Sequence, residues 1–170
     1  STAMHVATYA QCPVVVVHSG REGGLPFEDT DGDAGNPGQV VLGYDGSPAS
    51  NRAAAFAFRH AAAIGTGVVA VSVEPGRGEP ETEEIDPENA TPGSDTSAFH
   101  SPVIVTAAAF PDVPVSFVAG TGRPAEVLLA EGIGAELLVV GSRGSGGFSG
   151  LVMGSVSQKV LAHASCPVAV

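Results

Sequence analysis

The sequence predicts an α/β fold, a five-stranded parallel sheet with helices on both faces, and three observations carry that reading. Short β-branched runs alternate with helical segments along most of the chain. The connections between those runs are too long for hairpins, so they imply right-handed crossovers between parallel strands. Runs such as Leu137–Val140 are apolar at every position, as strands buried on both faces are. A chain of 170 residues, 44% of them hydrophobic, has the length of one ordinary domain and room for a core.

Gln39–Tyr44 (QVVLGY) reads as the first buried strand. Asp45-Gly46-Ser47-Pro48 then turns the chain, with Ser47 placed as a helix N-cap and Pro48 in the first helical position. Ala49–Ile64 follows as an alanine-rich helix that Gly65 and Gly67 end. Val68–Val73 is the second strand. Ser101-Pro102 opens a helix to about Phe110, although the β-branched Val103–Val105 stretch disfavours it. Val113–Val118 is the third strand, Pro124–Glu131 a short helix and Ala135–Gly141 the fourth strand. Gly154–Ala164 is a helix and Pro167–Val170 the fifth strand. In such a sheet ligands collect outside the carboxyl ends of the strands, near the switch in strand order. Asp45, Val73 with Glu74, and the stretch after Gly141 are therefore the positions to watch.

Charge is unevenly spread. Seven basic residues face eighteen acidic ones, for a net charge of −11. Residues 21–38 carry −4 and residues 74–95 carry −7, so the rest is neutral. Both stretches are rich in Gly, Pro, Ser and Thr, the composition of a solvated linker or loop. Calcium binding by Asp29, Asp31 and Asp33 is the alternative, but the DTDGD run lacks the spaced ligands and terminal Glu of a calcium loop. With no basic cluster, a nucleic-acid backbone or an anionic membrane is an unsuitable partner. No apolar run approaches the roughly 18 residues of a membrane helix, and the opening segment lacks the basic flank and cleavage site of a secretory signal. The expectation is a soluble, cytoplasmic protein. Cys12 and Cys166 make neither a disulfide framework nor a zinc site.

The N-terminus echoes the C-terminus. Ala10–Val16 (AQCPVVV) repeats Ala164–Val170 (ASCPVAV), and the residues before each look like the last turns of a helix. Residues 1–20 thus read as the last helix and strand of a preceding domain, residues 21–38 as an acidic linker, and residues 39–170 as one complete copy with an acidic flexible loop at 74–100. A coincidental helix and strand is the other reading of so short a match.

Gly141–Ser157 (GSRGSGGFSGLVMGSVS) lies between a predicted strand and a predicted helix. Its glycines let backbone N–H groups turn around an anion, and the helix from Gly154 adds its positive end. Ser155 and Ser157 offer hydroxyls and Arg143 offers charge, so the segment is equipped to hold phosphates. It is not a Walker loop, since no Gly-Lys-Ser/Thr follows, nor a dinucleotide fingerprint, since it follows the fourth strand. A flexible glycine-rich surface loop remains the bland alternative. Asp45 is open in the same way, as a hydrogen-bond acceptor for a ligand or as a turn residue beside Ser47.

The VVLGYDGS start, GRPAEVLL, AELLVVGSRG and the closing GSVSQKVLAHASCPVAV resemble the universal stress protein family over Gln39–Val170. The tail STAMHVATYAQCPVVVV is similar to the end of a second such domain, as in the family's tandem members. The resemblance implies a Rossmann-like or flavodoxin-like adenine-nucleotide fold. It implies that ATP, with Mg2+, is held by a Gly-x2-Gly-x9-Gly-Ser/Thr motif, matched here by Gly141, Gly144, Gly154 and Ser155. By the same resemblance Asp45, in its turn with Gly46 and Ser47, contacts the nucleoside. The backbone near Val73 would then meet the adenine edge, and Arg143, Val156 and Ser157 complete the phosphate side. Members of the family pair through their last strands, antiparallel, so Val14–Val17 is expected beside Pro167–Val170, in a dimer or within one chain.

No catalytic constellation is evident. His5, His18, His60, His100 and His163 are scattered without a metal-seating pair, and Glu126, Glu131 and Glu136 read as solvated faces. The expectation is a nucleotide-binding regulatory module that is not an enzyme, or at most a slow Mg-dependent ATPase. The rival is a structural interaction module whose glycine loop is empty.

Overall fold

The computed structural model describes residues 2–18, 35–75, 97–145 and 152–170. The acidic run with Asp29, Asp31 and Asp33, most of the predicted acidic loop, and the middle of the glycine segment lie outside the described residues. Eleven elements follow one another as α1 (Thr2–Tyr9), β1 (Val15–Val16), β2 (Val40–Gly43), α2 (Pro48–Ile64), β3 (Val68–Pro75), α3 (Ser97–Ala108), β4 (Val115–Gly122), α4 (Pro124–Glu131), β5 (Leu137–Val139), α5 (Ser155–His163) and β6 (Val168–Ala169).

The strands form one sheet in the order β1-β6-β5-β2-β3-β4. Strands β2 to β6 are parallel, which gives the five predicted. The sheet itself has six, because β1 joins its edge antiparallel to β6, with Val15 opposite Ala169 and Val16 opposite Val168. Strand order reverses between β2 and β5. After β2 the chain builds outward through β3 and β4, then returns to β2's other side for β5 and β6.

Alternate residues of the central strands enter two cores. Val40 and Leu42 of β2, Val68 and Ala70 of β3, and Leu137 and Val139 of β5 pack on one face with Ala54, Ala57, Phe58 and Ala61 of α2 and Val103 of α3. Val41, Val69, Val71, Leu138 and Val140 pack on the other with Leu128 of α4, Val160 and Leu161 of α5, and Ala7 of α1. A two-residue period with both sets buried is why these strands read as continuous apolar runs. Phe58 is fully buried and stacks on Phe110 with ring centroids 5.9 Å apart.

Several boundaries differ from expectation, two of them by four residues. β4 continues to Gly122 rather than stopping at Val118, because it stays hydrogen-bonded to β3 from Val68↔Val115 to Pro75↔Gly122. Pairing with a long neighbour overrides the weak strand preference of Ala119–Gly122. α3 begins at Ser97, with Pro102 inside it, so the predicted Ser101-Pro102 start falls within the helix. This helix and the end of β3 at Pro75 take in both ends of the loop expected at 74–100.

Candidate functional site

The turn after β2 places the first group. Ser47 caps α2 as expected: its Oγ accepts from the Ser50 amide at 3.1 Å, and Pro48 occupies the first turn. This cap directs the α2 N-terminus at the carboxyl end of the sheet. Asp45 precedes it, and its carboxylate accepts two backbone hydrogen bonds. Oδ1 takes the Ser47 amide at 3.0 Å, a local turn contact, and Oδ2 takes the Ser145 amide at 2.7 Å, a hundred residues away in sequence. Burial of the half-buried carboxyl raises its pKa, but the hydrogen bonds from Ser47 and Ser145 outweigh that and hold it below 3.8. Beside it Tyr44 donates its hydroxyl to Asn51 Oδ1 at 2.7 Å, and burial together with the Asp45 charge pushes the phenol up.

The strap after β5 supplies the second group. Gly141 passes so close to the α2 N-terminus that a Cβ there would lie 2.9 Å from the Ala49 carbonyl carbon and the Ser50 nitrogen. Gly144 passes equally close to Asp45, with a Cβ falling 2.7 Å from Oδ2. Gly154 is different, because its nearest neighbours would be at ordinary contact distance, 3.5 Å or more. The two ends of the strap are stapled together: the Gly154 amide donates to the Ser142 carbonyl at 2.8 Å and the Ser157 hydroxyl to the Gly141 carbonyl at 2.6 Å. Gly154 then caps α5 without a side-chain hydrogen bond, which leaves the first-turn amides of that helix without a side-chain acceptor.

These groups surround a cavity of about 680 Å³ at the reversal of strand order. That volume is in the range of small-molecule sites. Of the expected site residues, Asp45, Val73, Gly141, Arg143, Gly144, Gly154, Ser155, Val156 and Ser157 all line it. Gly46 and Ser47 are not among its walls, and Ser47 is engaged in capping. Ser157 lines the cavity, yet its hydroxyl hydrogen points to the Gly141 carbonyl, so its role is to close the strap rather than to donate into the cavity. Among the described residues Arg143 has no ion-pair partner, which leaves its guanidinium available to an anion.

Several walls had no sequence signal. Val71 and Ser72 of β3 line the cavity, and Pro124 and Leu128 of α4 reach it because α4 packs on β2, β3 and β4; Glu74, singled out with Val73 at the end of the strand, lines it as well. Ser145 lies in the stretch after Gly141 but carries no signal of its own: only its amide matters, and no residue identity marks a backbone donor. Among the described residues no cluster of three or more His, Cys, Asp or Glu side chains could hold a metal ion, and no helix is long and apolar enough to cross a membrane.

A doubly wound sheet with a glycine strap, a helix N-terminus capped by glycine alone and a cavity at its switch point defines an α/β domain with a ligand-sized cleft at the carboxyl ends of its strands. The model of the universal stress protein family matches residues 38–170, and the chain belongs to that family. A universal stress protein of Mycobacterium tuberculosis (strain H37Rv) is 35% identical over 178 residues, covering all of this chain and 55% of the relative. The chain thus spans about half the length of that relative. A universal stress protein of Thermus aquaticus is 39% identical over 136 residues, covering 76% of this chain and 94% of its own. Among solved structures, a universal stress protein in complex with cAMP aligns with a TM-score of 0.57 at 25% identity, covering 78% of this chain and 94% of that one.

Proposed function

We propose that this chain is an adenine-nucleotide-binding regulatory module of the stress response that holds ATP in the crevice between β2 and β5. The observation carrying the reading is that one cavity of ligand size is lined by two chemically different sets of groups. One set is the strap backbone, the first turn of α5 and Arg143, which has no ion-pair partner among the described residues; the other is the apolar side chains of Val71, Val73, Leu128 and Val140. A nucleotide has the matching pair of parts, an anionic phosphate and a flat, largely apolar base. The cAMP bound by a relative of the same fold supports the class of ligand.

The donor set suits phosphate oxygens. Mg2+ would be held chiefly by the phosphates, with Asp45 and Glu74 the carboxylates that line the same cavity. Binding rather than turnover is the reading, because Asp45 is hydrogen-bonded through both oxygens and held in its charged form, a poor general base. Occupancy would act by setting the conformation of the strap or the pairing with another domain in the cytoplasm. Residues 1–20 are read as the last helix and strand of a preceding domain of the same family, and the β1–β6 edge as the place where two such domains meet, within a chain or between chains.

Denaturing the purified protein and chromatographing the supernatant should release adenine nucleotide, and titration calorimetry with Mg-ATP should give a saturable signal. No released nucleotide together with flat titration would end the reading and leave an interaction module with an empty strap. Multiple-turnover release of phosphate well above background would move it to an ATPase.

A further inference from the structure

We propose that the Asp45 carboxylate is a built-in competitor for the ligand's phosphate, so that this residue sets how strongly the site discriminates against negative charge. The inference rests on the nucleotide reading above. It starts from an asymmetry between the two carboxylate oxygens. Oδ1 makes the local contact with Ser47 that many turn aspartates make, whereas Oδ2 reaches out of its own turn to the Ser145 amide at 2.7 Å. That amide belongs to the strap whose backbone donors are the natural anion holders of the site.

The carboxylate therefore sits where a phosphate oxygen would, in the same chemistry: a charged acceptor on a backbone N–H. Gly144 has a specific reason to be glycine in this arrangement. Any Cβ there would stand 2.7 Å from Asp45 Oδ2 and push the carboxylate off Ser145. The second glycine of the motif is thus the one that admits the competitor, while Gly141 accommodates the α2 backbone. A phosphate entering the cavity must take the Ser145 amide from Asp45 and tolerate the displaced charge nearby. Arg143 is the counter-charge two residues from Ser145, and Glu74 adds a second negative group to the lining of the same cavity. A neutral nucleoside displaces nothing and meets no repulsion.

The consequence is read as a ratio. Adenosine and AMP share base and sugar, so the ratio of their affinities isolates the phosphate. In the full chain, Asp45→Asn should raise the AMP-to-adenosine affinity ratio by about fivefold or more, the order expected when one like charge is removed from within about 5 Å of a phosphate. If Asp45 is only a contact for the sugar, both affinities fall by the same factor and the ratio stays put, which overturns the proposal. Asp45→Ala should move the ratio in the same direction. Should both variants fail to fold, NMR on the wild-type chain decides: AMP should shift the Ser145 amide and the Asp45 carboxyl carbon together, and an Asp45 signal indifferent to AMP refutes displacement. If the wild-type chain binds neither adenosine nor AMP, the nucleotide reading falls by itself. The competitor is then judged with inorganic pyrophosphate, which should move the same two signals; no movement sinks it too.

Discussion

Replacing Gly141 with alanine tests whether the glycines of the strap are required by packing or by flexibility. A Cβ at this position would lie 2.9 Å from two backbone atoms of the first turn of α2 and 3.0 Å from the Ala49 side chain. Ordinary contacts begin near 3.4 Å, so the deficit is about half an ångström against three atoms at once, two of them backbone. Neither side yields easily, because α2 is fixed by its Ser47 cap and by the buried Ala53, Ala54 and Ala57, and the strap by the Ser157–Gly141 hydrogen bond. Overpacking of this kind costs about 1–3 kcal/mol. Taking about 2 kcal/mol, the melting temperature of a domain this size should fall by about 4–8 °C. Gly154→Ala is the matched control. Its φ of −73° suits any residue and its Cβ meets nothing closer than 3.5 Å, so it should cost less than about 1 kcal/mol, mainly as a poorer N-cap. Thermal and urea denaturation of both variants side by side reads the difference. Equal losses, or a wild-type melting temperature for Gly141→Ala, would show that the close approach to α2 is not what demands glycine.

Four further outcomes follow from the same geometry. Ser157→Ala should lose about 1–2 kcal/mol in urea unfolding, since the Gly141 carbonyl is left without its 2.6 Å donor, and should also weaken nucleotide binding by loosening the strap. Ser47→Ala removes the N-cap and should cost about 1 kcal/mol, with Ser47→Asn recovering most of it. Phe58→Ala empties the middle of the α2 core against Phe110 and should cost about 3–5 kcal/mol, whereas Phe58→Leu should cost clearly less. Asp45 titrates below its ordinary value of 3.8 in the folded chain, so the unfolded chain takes up the proton first as pH falls. Its contribution is complete above that value and is lost as pH falls from there through the lowered folded-state pKa, and the stability gap between wild type and Asp45→Asn should therefore shrink over that acid range and stay constant near neutrality.

What the sequence made legible was local. Ser47 and Pro48 announce the start of α2, the β-branched runs announce the strands, and a strap with six glycines between a strand and a helix announces a backbone-lined cleft. What it hid was set by partners far along the chain. The end of β4 depends on β3 remaining alongside, and the start of α3 ran past a proline that marks a boundary in most helices. The walls from α4 enter the cavity only because that helix packs on β2, β3 and β4. The Ser157 hydroxyl shows the same limit in miniature. Its residue type suits a phosphate donor, but the nearest acceptor turned out to be a carbonyl sixteen residues back.

The antiparallel contact between β1 and β6 also orders events in time. Val15 lies opposite Ala169, so the two strands are separated by nearly the whole chain and their loop is among the most expensive to close. During synthesis at about 5–20 residues per second, β1 emerges roughly 10–30 s before its partner exists. Through that interval β1 lacks β6 beside it, on a segment whose exposed Tyr9 and Val17 add to the risk of capture by another chain. Its shortness, two paired residues, limits the hazard, and the β1–β6 contact becomes a late step of folding rather than its nucleus. Folding followed from a fluorescent label on Cys12 should accordingly lag the burial of the α2 core.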